Sequence, residues 1–170
     1  MSDRSQGETA LVHLRERLTN SAAFGSLFRE GMDLVEETAA YLDGVGRAEA
    51  KALDRSVSLT YATESMRLTT RLMQLASWLL LHRAVKEGEM TLTQANREKT
   101  KVKLSAADPG AEDTLEKLPP QLRELIDRSM TLQTRVRRLD TTIHAPVTER
   151  AAIGNPLVPQ LNRLKAAFER

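Results

Sequence analysis

The sequence predicts an all-α fold, an antiparallel helical bundle of three main helices and a shorter one, with a very long central helix and a flexible carboxy-terminal tail. Three observations lead there. Leu, Ala, Arg, Glu and Thr dominate and only 8 of 170 residues are Gly, which is the composition of a helical bundle. Residues 46–88 hold no proline, and no glycine between the Gly46 and Gly88 that bound them; as one helix, about Arg47 to Glu87, the run spans on the order of 60 Å. Its apolar residues fall on two opposite sides when placed at about 100° per residue. Leu53, Val57, Tyr61, Leu68, Leu72, Leu75 and Leu79 share one side, and Leu59, Ala62, Met66, Met73, Ala76, Leu80 and Ala84 share the other. A surface helix needs one stripe. Two stripes place this helix at the centre, covered by its own chain on one side and by more chain or a second subunit on the other.

Length and composition bound the rest. A chain of 170 residues is expected to hold one domain, here residues 21–141, between a mobile segment 1–20 and a tail 142–170. Hydrophobic residues make up 41% and aromatics 4%, so the core is aliphatic. Cysteine is absent, which excludes disulfides and thiolate metal sites and fits a reducing compartment. The polar start MSDRSQGET has no signal-like apolar segment, and the charge-free run Leu72–His82 falls far short of the roughly 18 residues of a membrane span. A soluble, cytoplasmic protein is expected. Net charge is +2, but its distribution matters more: Glu30, Asp33, Glu36, Glu37 and Asp43 make the first helix acidic, while Arg97, Lys99, Lys101, Lys103, Arg135, Arg137 and Arg138 are basic. Such segments pair within a fold or, less simply, form a nucleic-acid footprint.

The first firm helix runs from about Ala22 to Leu42, with Asn20 or Ser21 as N-cap and Gly44 as its stop. Phe24, Phe28, Gly31, Val35, Thr38 and Leu42 form a seam in four- and three-residue steps. Gly31 costs about 1 kcal/mol against Ala in mid-helix, so a close approach by a neighbour is its natural explanation. Asp43-Gly44-Val45-Gly46 turns the chain into the long helix, which Gly88 ends. Thr91-Leu92-Thr93-Gln94 has capping-box spacing and starts a basic helix to about Leu104. Residues 105–117 read as loop. Pro119 and Pro120 then open a helix whose Leu122, Leu125, Ser129, Leu132, Val136 and Leu139, extended backwards by Leu118, make the cleanest heptad of the chain. Beyond Thr142, prolines and Gly154 break any long element, and Leu157, Leu161, Leu164 and Phe168 line one face of a short terminal segment.

Motifs of chemistry are missing: there is no glycine-rich phosphate loop, zinc-ligand spacing or nucleophile elbow. His13, His82 and His144 are scattered. His82 with Glu87 or Glu89 can be drawn as a metal pair, but a histidine at the edge of a helical stripe is usually structural. Thr60, Thr63, Thr69 and Thr70 are simplest as small residues that let helices approach. Glu64 and Arg71 flank Leu68 within the first stripe. Either they reach solvent from its edge, or they form buried or interfacial ion pairs that fix register, since an unpaired buried charge costs several kcal/mol. The terminal segment either docks on its own bundle or folds on a partner.

The stretches FREGMDLVEETAAYLDG (residues 28–44), YATESMRLTTRLMQ (61–74) and ASWLL (76–80), followed by RAVKEGEM (83–90) and RVRRLD (135–140), resemble the alphaproteobacterial RcdA family. The resemblance covers roughly residues 22–140. It implies a helical, homodimeric, non-enzymatic adaptor without cofactors that joins the ClpXP protease, primed by a response-regulator adaptor, and delivers cell-cycle transcription factors such as CtrA. Partner contacts are expected on the exposed parts of the first two helices, at Glu30, Glu37, Arg67 and Gln74, and on the tail anchors Leu161, Leu164 and Phe168. The Met66, Met73, Leu80 stripe is the candidate dimer surface. The alternative from another class is a small DNA-binding regulator using the basic third helix with Arg135, Arg137 and Arg138.

Overall fold

The structure, a computed structural model, describes residues 22–99 and 115–144. Within them lie five helices: α1 (Ala22–Asp43), α2 (Val45–Lys51), α3 (Arg55–Lys86), α4 (Leu92–Lys99) and α5 (Pro120–His144). The fold is all-α, with α1, α3 and α5 as the main helices. The expected mobile amino-terminal segment and the tail from residue 145 onward lie outside the described residues, as does the third helix beyond Lys99.

The inner stripe of α3 forms the core. Leu68, Leu72, Leu75 and Leu79 are buried together with Val57 and Tyr61, and Leu53 packs against them. From α5 come Leu122, Leu125, Ser129, Leu132 and Val136, all buried, with Leu139 at the edge. The α1 seam is centred one step away from the expected one. Phe24, Leu27, Gly31, Leu34, Thr38 and Tyr41 are buried, while Phe28, Val35 and Leu42 flank the core. Two partner helices, α3 and α5, sit on α1, and this widens the seam beyond a single heptad stripe.

Side-chain pairings set the helix directions. Glu30 and Glu37 of α1 meet Arg135 and Arg128 of α5, so these helices are antiparallel. Tyr41 of α1 lies by Tyr61 while Phe24 lies by Trp78, so α1 and α3 are antiparallel as well. Arg71 meets Ser129 and Trp78 meets Asp140, so α3 and α5 run in the same direction. Residues 87–119, of which 87–99 and 115–119 are described, join this parallel pair.

The long central helix departs from expectation at its start. It is interrupted after Lys51, and α3 begins only at Arg55, although no glycine or proline stands there. Asp54 adopts an extended ψ of 153° and its carbonyl accepts the Ser58 N–H at 2.7 Å. The cause is tertiary. Gly46 of α2 sits so close to both tyrosines that an added Cβ would lie 2.7 Å from the Tyr41 backbone carbonyl oxygen, 2.8 Å from Tyr41 Cε1 and 2.7 Å from Tyr61 Oη. The Tyr41 hydroxyl donates to Glu49 Oε2 at 2.8 Å. With α2 held down in this way, Ala50 and Leu53 reach the core.

Other ends follow local chemistry. Gly88 takes φ +77°, and Glu89 N–H to Ala84 O and Gly88 N–H to Val85 O close α3 in a Schellman motif. At α4, Thr91 N–H donates to Gln94 Oε1 (2.9 Å) and Gln94 N–H to Thr91 Oγ1 (3.2 Å), the reciprocal capping box.

A methyl on Gly31 would run into Leu79 Cδ1, with Leu132 Cδ2 at 3.6 Å behind it. Gly31→Val is therefore expected to destabilise the protein by about 1–3 kcal/mol in urea unfolding. Adding Leu79→Ala should recover part of that loss; simple additivity of the two changes would contradict the close approach.

Candidate functional site

The outer face of α3 is the most distinctive surface. Leu59, Met66, Met73 and Leu80, seven residues apart, are 71%, 72%, 66% and 53% exposed, a row on the order of 30 Å long. The hydroxyls beside them are turned inward. Thr60, Thr63, Thr69 and Ser77 each donate to the carbonyl four residues earlier. These bonds satisfy the hydroxyls within the helix and leave a smooth, largely apolar face. A cleft of about 450 Å³ lies between α1 and α3, walled by Phe24, Phe28 and Met32 and rimmed by Arg29, Asp33 and Arg83. The Arg83 guanidinium caps the Phe28 ring at 4.8 Å and bonds Glu87.

The expected contact residues fall in several places. Glu30 and Glu37 are roughly half exposed and tie α1 to α5, through Arg135 at 2.5 Å and Arg128 at 2.8 Å. The opposed charges of these two segments thus meet inside the fold, in half-exposed pairs worth at most about 1 kcal/mol each. Arg67 bonds Glu64 at 2.8 Å, and Gln74 is half-buried on α3. Leu161, Leu164 and Phe168 lie outside the described residues.

Glu64 and Arg71 are both buried, at 6% and 8% exposure. Arg71 donates to Ser129 Oγ at 2.8 Å, and Ser129 donates onward to Ile126 O. Burial lowers the Arg71 pKa, while the Glu64 charge opposes that shift. A charged group thus crosses from α3 to α5 in the middle of the core.

The histidines are far apart in the chain, and folding brings His82 and His144 together. His82, fully buried, stacks on Trp78 at 3.9 Å between ring centroids and stands edge-on to His144 at 6.1 Å. Its Nδ1 donates to Trp78 O at 3.0 Å, and its buried Nε2 has no hydrogen-bond partner among the described residues. Asp140 receives Trp78 Nε1–H at 2.8 Å and Lys99 Nζ at 2.6 Å, with His144 Nδ1 3.3 Å away. His144 Nδ1 donates to Asp140 O at 2.8 Å and Nε2 meets Asn96 Oδ1. Burial pushes the His82 imidazole down to about 4. Burial would raise the Asp140 carboxyl, but hydrogen bonds from His144, Lys99 and Trp78 hold it well below the usual carboxylate range. Residues 62 positions apart give no short-range signal of this junction. The only sequence hint was that His82 lies next to a stripe.

A family model described as "Protein of unknown function (DUF1465)" matches residues 15–168. Among solved structures, the chain is similar to the crystal structure of RcdA from Caulobacter crescentus CB15. The TM-score is 0.63 at 49% sequence identity, covering 77% of this chain and 98% of that chain. The chain belongs to the RcdA family. No curated protein matches. The RcdA-family fold thus carries, in this chain, an exposed apolar row on α3 and a buried polar junction at the α3–α4–α5 end. Among the described residues no helix is long and apolar enough to cross a membrane.

Two measurements test the polar core. Glu64→Gln is expected to destabilise by about 1–3 kcal/mol, because Arg67 loses its charged partner and the buried Arg71 loses the nearby negative charge that favours it, whereas Glu64→Leu with Arg71→Met should be milder than the single change. For His82, the unfolded imidazole protonates near pH 6.5 and the folded one only near 4. Between these values the unfolded state binds the extra proton, so acid destabilises. Urea midpoints should fall from about pH 6.5 down to about pH 4, by about 3 kcal/mol in all, and His82→Leu should flatten this limb.

Proposed function

We propose that this RcdA-family chain is a non-enzymatic adaptor for regulated proteolysis. In this reading it tethers cell-cycle transcription factors to the ClpXP protease, already primed by a response-regulator adaptor. The observation that carries the reading is the 49% identity to RcdA over 98% of that chain. An adaptor accelerates degradation by raising the local concentration of substrate near the unfoldase, so modest contacts on two surfaces suffice. The exposed Leu59, Met66, Met73, Leu80 row supports a homodimer: paired with its counterpart, each row loses an apolar stripe from water. Gln74 and the tail anchors Leu161, Leu164 and Phe168 are assigned to partner contacts. Glu30, Glu37 and Arg67 would take that role while bonded to Arg135, Arg128 and Glu64, through the exposed part of each side chain. Of the three arginines of the nucleic-acid reading, Arg135 is already engaged by Glu30 of α1.

Reconstituted degradation tests the proposal. Adding the full chain to ClpXP, a response-regulator adaptor and a transcription-factor substrate should raise the degradation rate; an unchanged rate with every component active sinks it. In sedimentation, Met66→Glu with Met73→Glu should convert a dimer to a monomer that keeps its helical content. A double variant that sediments like the parent would remove the dimer surface.

A further inference from the structure

We propose that His82, Asp140 and His144 form a binding site for a divalent transition-metal ion of the zinc class, and that the Lys99 ammonium takes the ion's place in the metal-free chain. One ligand atom from each of the three residues lies within 4.8 Å of the others. Adjacent ligands of a tetrahedral ion with bonds near 2.0 Å stand about 3.3 Å apart, so small side-chain rotations close the set. Imidazole and carboxylate donors without sulfur suit zinc and its neighbours.

The His82 tautomer favours this use. His82 Nδ1 faces Trp78 O; a carbonyl only accepts, so this Nδ1 carries the proton and His82 Nε2 presents a lone pair, whereas His144 has oxygens at both nitrogens, Asp140 O and Asn96 Oδ1, and gives up one of these contacts to ligate. Metal-ligating histidines are characteristically fixed in this way by an outer carbonyl or carboxylate. His82 Nε2 is the independent sign of a missing partner: it belongs to a side chain with 0% exposure and meets no hydrogen-bond donor among the described residues. A structural role alone would leave that lone pair without compensation.

Lys99 explains how the same cluster is stable without metal. Its ammonium sits 2.6 Å from Asp140 Oδ2 and its side chain is a quarter exposed, so it neutralises Asp140 yet has a path to solvent. Metal binding exchanges this α4–α5 tie for a direct link between α3 and α5. The site lies at the end of the bundle opposite α2 and apart from the outer α3 row, so it stands independently of the adaptor reading.

The test titrates tag-free, chelator-stripped full-length protein with Co²⁺, followed by visible ligand-field absorption, and then displaces it with Zn²⁺. One saturable equivalent per chain is expected. His82→Gln should weaken binding by more than roughly 100-fold, and Lys99→Met should tighten it about tenfold by removing the competing cation. Absence of saturable absorption in the parent chain overturns the site, and so does retention of full affinity by His82→Gln. Unchanged or weaker binding by Lys99→Met overturns the role given to Lys99; because Lys99 is partly exposed, this variant tests the idea even if His82→Gln fails to fold.

Discussion

The inner face of α3 holds both of the other long helices. Leu79 fills the space above Gly31 of α1, Arg71 spans to Ser129 of α5, and Trp78 spans to Asp140 of α5. Two helices therefore have to fit one stripe, and the stripe is not uniformly apolar. Where α1 approaches, a missing Cβ makes the room. Where α5 approaches, a guanidinium and an indole N–H find acceptors. These polar crossings fix the register of α5 more sharply than leucines can, because a buried donor left without its acceptor costs about 1–3 kcal/mol whereas shifted aliphatic contacts are partly replaced.

The parallel course of α3 and α5 follows from the same contacts. It places the start of α5 beside the start of α3, and the ends of both helices beside α4. The ends accordingly become the polar junction, where Lys99 and Asn96 of α4 meet Asp140 and His144 of α5. Burial there is deep enough to keep His82 neutral, and the donors around Asp140 are numerous enough to keep it ionised. The opposite end is built differently, from Tyr41, Tyr61 and the close-packed Gly46. One bundle thus has an aromatic end and a charged end, while the outer α3 row runs between them.

The outer face shows how a helix with nearly balanced sides is used. Its leucines and methionines stand clear of the protein while threonines and serines bond back to their own helix. Such a surface keeps its polar groups satisfied whether or not another helix lies against it, which suits an interface between folded subunits.

Much of this was legible in the sequence because it rests on local periodicity and local backbone chemistry. The two α3 stripes, the α5 heptad from Leu118 to Leu139, the Thr91–Gln94 capping box and the Gly88 stop each involve residues within a few turns of one another. Gly31 announced a close approach, though not that Leu79 makes it. What only the tertiary structure decided depends on residues far apart in the chain. The break at 52–54 arises because Gly46 packs under Tyr41 and Tyr61, and propensity favoured an unbroken helix. The α1 seam widened because two partners share it. Arg71 proved buried because Ser129 awaits it, and His82 met His144 because α3 and α5 run parallel. Periodicity states which face a helix hides; it carries no information about which distant polar atom will be waiting on the other side.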